Sequence, residues 1–272
     1  MKLSPLTRIS LRTVALGYLF ILLVLPIAVI LFRTFEQGFI AFYNSVSTPA
    51  AISALNLSLL IVAIVVPLNV VFGVFTAIAL VRGRFPGRSL IQGVVDLPFA
   101  VSPIVVGVSL ILLWGAGGWF GFLESWGFKV IFSLPGMVIA TIFVTLPFVV
   151  REVEPVLHEI GEDQELAAAT LGASNMQTFW RITLPAIRWG LTYGVVLTIA
   201  RSLGEFGAVI MVSSGFPGVS QTLTLLVHAR YIDDHNTFGA YCAATLLMGV
   251  ALITLLFMTV LDRKRANKSG DS

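Results

Sequence analysis

Apolar residues recur along the chain in six blocks separated by shorter polar or charged stretches: residues 13–32, 52–81, 90–114, 133–150, 189–212 and 238–261. Each block is a continuous apolar run, not the alternating segments of ~10 residues that a membrane β-barrel requires. The blocks therefore predict transmembrane helices. The first, Thr13 to Phe32, has 20 residues, and at ~1.5 Å rise per residue that spans ~30 Å, the hydrocarbon thickness of a bilayer. Lys2, Arg8 and Arg12 precede it as they would a secretory signal. A signal core is only ~7–15 residues long, and no small-x-small cleavage site follows here, so an uncleaved first span is expected. The second block is too long for a simple crossing. Its first turns, with Asn56 and Ser58, are expected to lie obliquely or at the interface, and Pro67 to kink it. Pro98 and Pro103 interrupt the third.

Composition agrees with this pattern. The chain has 272 residues, 57% hydrophobic and 11% charged, with a mean hydropathy of +0.95. Soluble domains carry about a quarter charged residues. A soluble enzyme, a disordered protein and a conventional nucleic-acid binder are thereby excluded. Cys242 is the single cysteine and lies in an apolar block, so no intrachain disulfide can form.

The net charge of +3 becomes informative through its distribution. With the N-terminus inside, the inner segments are 1–12, 82–89, 151–188 and 262–272, and they hold 13 of the 17 basic residues. Only Arg33, Lys129 and Arg230 fall outside, and Arg201 lies in the fifth block. Basic residues concentrate in cytoplasmic loops, which predicts that both termini are cytoplasmic.

Two connections stand out. Residues 115–132 combine Gly115, Gly117 and Gly118 with Trp119, Trp126 and Phe128, a glycine-rich turn bearing interfacial aromatics. No Lys-Ser/Thr pair follows these glycines, so they do not form a phosphate loop, and nothing visible in the chain hydrolyses ATP. The inner segment 151–188 is long for a connection. It opens with Glu152, Glu154, Glu159, Glu162, Asp163 and Glu165, continues as Ala167-Ala168-Ala169-Thr170-Leu171-Gly172, and runs from Ala173 to Ile182 before Leu184-Pro185. Two short helices joined at a glycine are expected, a protrusion suited to docking because alanines allow close approach and glycine a sharp turn. No His, Cys or carboxylate group has convincing metal spacing.

This insert resembles the signature of permease subunits of ATP-binding-cassette importers, E-A-A-x3-G-x9-I-x-L-P. Ala167, Ala168, Gly172, Ile182, Leu184 and Pro185 fall in register. The signature glutamate aligns with Leu166, and Glu165 stands one residue earlier, an offset that turns a helical side chain by ~100°. Val95–Pro103, Thr145–Phe148, Gln177–Pro185 and Ala200–Val209 extend the resemblance to the sulfate/thiosulfate permeases, in particular the W-type member of that heterodimeric pair; molybdate permeases share part of the Arg-x-x-Gly-Glu-Phe-Gly pattern. The resemblance implies an all-α membrane bundle of six spans, of the type I kind. It also implies a coupling loop at 151–188 that docks on an ATPase through Glu165, Ala167, Ala168, Gly172, Ile182, Leu184 and Pro185. The implied partners are a second permease, two ATPase subunits that use ATP and Mg, and an external sulfate-binding protein, in a bacterial cytoplasmic membrane. No cofactor is expected on this chain itself.

Within the spans, Arg201 and Glu205 are spaced i,i+4, on one face of a helix. Charges inside a membrane face the bundle interior or a wet cavity. Two roles fit: an ion pair that fixes the fifth span, or a positive potential along the path of a divalent anion with Glu205 restraining Arg201. Gly204 permits close approach. Ser213 and Ser214 are candidate donors to the anion or helix-ending residues, and Asp96 is expected to be a structural acceptor. The competing classes are a molybdate or tungstate importer, an ion-gradient transporter using Arg201, Glu205 and Asp96, and a membrane enzyme. The last lacks any nucleophile beside a base.

Overall fold

A computed structural model describes the backbone of residues 5–269 and the side chains of residues 11–256 and 259. The described chain is helical with no strands. Helix α1 comprises Pro5–Leu19, a π-helical turn Phe20–Val24 and Leu25–Phe35. Short α2 (Phe39–Val46) leads into α3 (Pro49–Arg82), capped by Thr48, whose hydroxyl accepts the Ala51 N–H. Then follow α4 (Arg88–Ala100), α5 (Pro103–Trp114) and α6 (Leu134–Ile160). The insert holds α7 (Asp163–Thr170) and α8 (Asn175–Ala186). After these come α9 (Arg188–Leu203), α10 (Gly207–Val212), α11 (Leu223–His228, extended by a π turn over Ala229–Asp233) and α12 (Thr237–Ser269).

Among the described residues, four helices are long and apolar enough to cross a membrane unbroken, and the number reaches six if each of two bent pairs is one span. The pair α4–α5 is bent by 115° and the pair α8–α9 by 70°. Block 90–114 is therefore not a straight span. Val101 and Ser102 are extended, the conformation that a following proline imposes on its predecessor, and Pro103 opens the new helix at the position where a missing N–H costs nothing. Proline also shapes two of the three π turns among the described residues. Pro26 and Pro185 cannot donate to the preceding turn, and in both places a widened turn precedes them, closed by Leu25 N–H on Phe20 O and by Leu184 N–H on Phe179 O.

Other expectations need correction. Ser58 is buried against the protein, and its hydroxyl accepts the Leu223 N–H at 2.9 Å, satisfying an orphan donor at the start of α11. Pro67 does not interrupt α3, which runs as one helix from Pro49 to Arg82. The fourth span does not end at 150. Val149, Val150, Val153 and Leu157 form a buried stripe that carries α6 to Ile160, so Glu152, Glu154 and Glu159 belong to a helix and not to a loop. The fifth block is also not one helix, because α9 stops at Leu203 and α10 starts at Gly207.

The core has three parts. α3, α5, α6 and α10 share an apolar cluster that includes Ile61, Val106, Met137 and Val209. A second cluster joins α3 and α6 to the start of α9 through Leu80, Val153, Leu157 and Ile187. The third ties α3, α11 and α12 through Ala54, Leu223 and Ala243. Burial of Leu-sized side chains contributes roughly 1.5–3 kcal/mol each in water, but inside a bilayer the gain comes from close packing. Buried hydroxyls and one amide add polar ties: Asn69 Nδ2 donates to Thr145 Oγ1 at 2.7 Å, and Thr34 and Thr245 share a hydrogen bond of 2.8 Å between α1 and α12.

Candidate functional site

The insert is built as a helix–turn–helix. Asp163 and Glu165 lie in the first turn of α7, where carboxylates favour the helix dipole. Gly172 ends the helix at φ +84°. Its N–H bonds Ala169 O at 3.0 Å, and Ala173 N–H bonds Ala168 O at 3.0 Å, the paired closure of a Schellman motif. A Cβ on Gly172 would meet nothing within 4 Å, so the demand for glycine here is conformational and not steric. Ser174 and Gln177 then form a reciprocal capping box that starts α8.

The one-residue offset at Glu165 has a clear structural consequence. The Glu165 side chain turns inward. Its Oε2 accepts from Arg82 Nε at 3.0 Å and its Oε1 from Thr183 Oγ1 at 2.8 Å, while Arg82 also donates to Gly161 O at 2.5 Å. One carboxylate thus ties the end of α3, the start of α7 and the middle of α8. Leu166 and Leu171 point out, 59% and 88% exposed. Ala167 is exposed and Ala168 half-buried, so Leu166, Ala167 and Ala169 give the outer surface of α7 an apolar patch, with Asp163 and Gln164 exposed at its start. Ile182 and Leu184 are half-buried, Leu184 packing on the second core cluster, and Pro185 is exposed at the bend toward α9. The protrusion is held from within by charge-assisted bonds and presents an apolar surface without.

The second constellation is the break between α9 and α10. The helix bonds of α9 end with Gly204 N–H on Ala200 O and Glu205 N–H on Ser202 O, both 3.3 Å. Glu205 is 2% exposed. Its Oε2 meets Arg201 Nη1 at 2.6 Å, and its Oε1 accepts the Ala208 N–H at 2.8 Å, so the carboxylate caps α10 as well as pairing a cation. The two ionised residues are brought together, but Glu205 lies in the break and not on a continuous helix face. Thr224 on α11 donates to Glu205 O at 2.9 Å. The Arg201 side chain remains about a third exposed, and Gly204 is exposed beside it.

This break lies against the bend of α4–α5. A Cβ on Gly207 would stand 3.0 Å from Pro103 Cβ, and one on Gly107 only 2.5 Å from Met211 Cβ, so α5 and α10 approach where side chains are absent. Irregular backbone at membrane depth is tolerated where it is buried in protein or lines a cavity. A cavity of about 570 Å³ borders the break, with walls that include Leu203, Gly204, Phe206, Thr224 and His228. Its lining is mostly apolar.

Comparison with known proteins places this architecture. Residues 69–267 match the family described as binding-protein-dependent transport system inner membrane components. The chain belongs to this family. It is 46% identical over 269 residues to the sulfate transport system permease protein CysW of Synechococcus elongatus, covering 98% of this chain and 93% of that one. It is 48% identical over 251 residues to the protein of the same name from Synechocystis sp., covering 92% and 91%. Among solved structures, the bacterial alginate ABC transporter in complex with an alginate pentasaccharide-bound periplasmic protein contains a chain of the same fold. The TM-score is 0.77 at 19% identity, covering 95% of this chain and 94% of that one.

Two further candidates in this transport component are engaged elsewhere. Ser213 ends α10, and its hydroxyl donates to Ser220 O at 2.5 Å and accepts the Gly215 N–H at 2.9 Å. The Ser214 hydroxyl bonds that of Ser220. Both serines close a turn, and none of their hydrogen bonds among the described residues reaches Arg201 or Glu205. Asp96 accepts from Arg151 Nη2 at 2.8 Å, joining α4 to α6. Sequence reasoning missed Arg82, Thr224 and Arg230. Arg230 is 8% exposed and donates to Ser45 O, Thr48 Oγ1 and Gly239 O, each at 3.0 Å, a staple between α11, α12 and the α2–α3 junction. Burial pushes its pKa down. An arginine standing apart from the segments in which the basic residues concentrate was the available signal.

Proposed function

We propose that this chain is one half of the permease of an ATP-driven sulfate/thiosulfate importer in a bacterial cytoplasmic membrane. Its partners would be a second permease, two ATPase subunits and an external binding protein. The observation that carries the substrate is similarity to sulfate permeases at 46% and 48% identity along nearly the whole chain. In this reading the face bearing α7 and α8 is cytoplasmic, which the distribution of basic residues supports. The apolar outer surface of α7 docks on the ATPase, and ATP binding there biases the permease between its two access states.

Arg201 is the residue suited to the anion. It offers guanidinium donors from a partly open position beside an irregular backbone, and such donors match the oxygens of a tetrahedral oxyanion. Glu205 offsets its charge, so the site attracts a divalent anion without trapping it, as release requires. The ATP and Mg are held by the ATPase subunits, and this chain carries no hydrolytic site of its own.

The test is labelled sulfate uptake in cells lacking the chain, with and without its gene. The expected result is restored uptake that excess thiosulfate suppresses and molybdate barely changes. Suppression by molybdate and not by thiosulfate would replace the substrate. Failure to restore uptake with no copurifying ATPase would overturn the importer reading.

A further inference from the structure

On the face that carries the insert, Arg84, Arg88, Arg181 and Arg188 stand in no ion pair among the described residues, and two of them share a pocket without a carboxylate. Arg82 is paired with Glu165 and Arg151 with Asp96. Arg181 and Arg188 line one pocket of about 470 Å³ at the joint of α7, α8 and α9, together with Gln164, Pro185 and Trp189. The Arg188 guanidinium lies over the Trp189 ring, 5.4 Å from its centroid.

The position of the pocket follows from the helix geometry. α8 meets α9 at 70°, and in the proposed topology, with α9 as the fifth span, this junction at Arg188–Trp189 would stand at the cytoplasmic end of the span. Trp189 is 46% exposed at this level, where indole rings settle among lipid headgroups. Two unpaired guanidinium forks, a carboxamide and an indole share this pocket, and in that topology they would face the phosphate level of the bilayer. Guanidinium groups bind phosphate and sulfate oxygens bidentately, and basic pockets between helices on the cytoplasmic side hold anionic headgroups.

We infer that the Gln164–Arg181–Arg188–Trp189 pocket binds a tetrahedral oxyanion group, supplied by the phosphodiester headgroup of an anionic phospholipid or by a free oxyanion at the membrane surface. The site is separate from the Arg201–Glu205 break and does not depend on which anion is transported. Because it lies at the bend between the insert and α9, its occupant would bridge the two elements that carry motion into the membrane.

The assembled transporter is placed in nanodiscs of phosphatidylcholine alone or with phosphatidylglycerol, and phenylglyoxal modification of each arginine is mapped by mass spectrometry. Arg84, exposed on the same face, is the internal control. Phosphatidylglycerol should protect Arg181 and Arg188 more than Arg84. Protection by inorganic phosphate in phosphatidylcholine discs, with no added effect of phosphatidylglycerol, would assign the site to a free oxyanion. In native mass spectra, retention of phosphatidylglycerol should fall about fivefold for each arginine removed in Arg181→Gln and Arg188→Gln. A doubly substituted Arg→Lys protein should retain part of the binding, since it keeps charge but loses the fork. Three results would overturn the proposal: protection of Arg84 equal to that of the pair, unchanged retention in the glutamine variants, or protection in phosphatidylcholine discs that requires only the attached ATPase.

Discussion

The Arg201–Glu205 pair is unequally buried, and this makes its two halves unequal to remove. Glu205 is 2% exposed, whereas about a third of the Arg201 side chain reaches open space. Arg201→Met strands a carboxylate in the interior with only the Ala208 N–H for company. Orphaning a buried charge in this way costs about 3–5 kcal/mol. Glu205→Gln leaves a cation that can still draw water, and a glutamine oxygen can keep the Ala208 bond. Its cost is that of one ion pair with a partly exposed partner, less than the ~3–5 kcal/mol of a stranded buried charge. The double substitution Arg201→Met/Glu205→Gln should therefore be more stable than Arg201→Met alone. Equilibrium unfolding of the purified chain in mixed micelles, followed by tryptophan fluorescence, measures all four corners of the cycle. If Glu205→Gln costs as much as Arg201→Met, the burial argument is wrong. If the single effects add to within about 0.5 kcal/mol, the two groups are not energetically coupled despite their 2.6 Å contact. Uptake separates the functional role: Arg201→Met should abolish transport in any background, including one where Glu205→Gln has restored stability.

Two other substitutions probe the frame. Gly172→Ala forces a side chain into the left-handed region at about 1–2 kcal/mol, so it should fray the end of α7 in hydrogen exchange and weaken copurification of the ATPase; Gly172→Asn, which tolerates that conformation, should be milder, and equal effects would refute the backbone explanation. Arg230→Gln leaves Ser45 O and Gly239 O without their donor and should cost about 2–4 kcal/mol, read as faster exchange across the α2–α3 junction and the start of α12, with no change there overturning the staple.

Much of this architecture was legible because bilayer thickness fixes the length of an apolar run. The blocks at 13–32, 52–81 and 238–261 correspond to α1, α3 and α12 for that reason. Hydropathy averages over side chains and is blind to backbone direction, so it saw the prolines near residues 98–103 without the 115° bend. It also read 189–212 as continuous, although one carboxylate with its flanking glycines divides it. Charge counting places the acidic residues after 150 in a loop because it ignores which face they occupy; Val153 and Leu157 keep the helix buried on the other side. The offset glutamate shows the same limit at the candidate site. Alignment places Glu165 one position away from the signature, but only the fold reveals that its partners are Arg82 and Thr183.

That triple tie makes the insert a lever and not a flap. Its load arm is α7, its seat is the apolar cluster around Leu157 and Ile187, and Glu165 is the rivet joining it to α3. The α7–α8 turn is capped on both sides, which opposes local bending. In the proposed importer a force on the outer face of α7 would reach the foot of α3 through Arg82 and, around the bend at Ile187, α9, whose far end carries Arg201 beside Glu205. A displacement of the protrusion and a displacement of the broken span would then be two ends of one stroke.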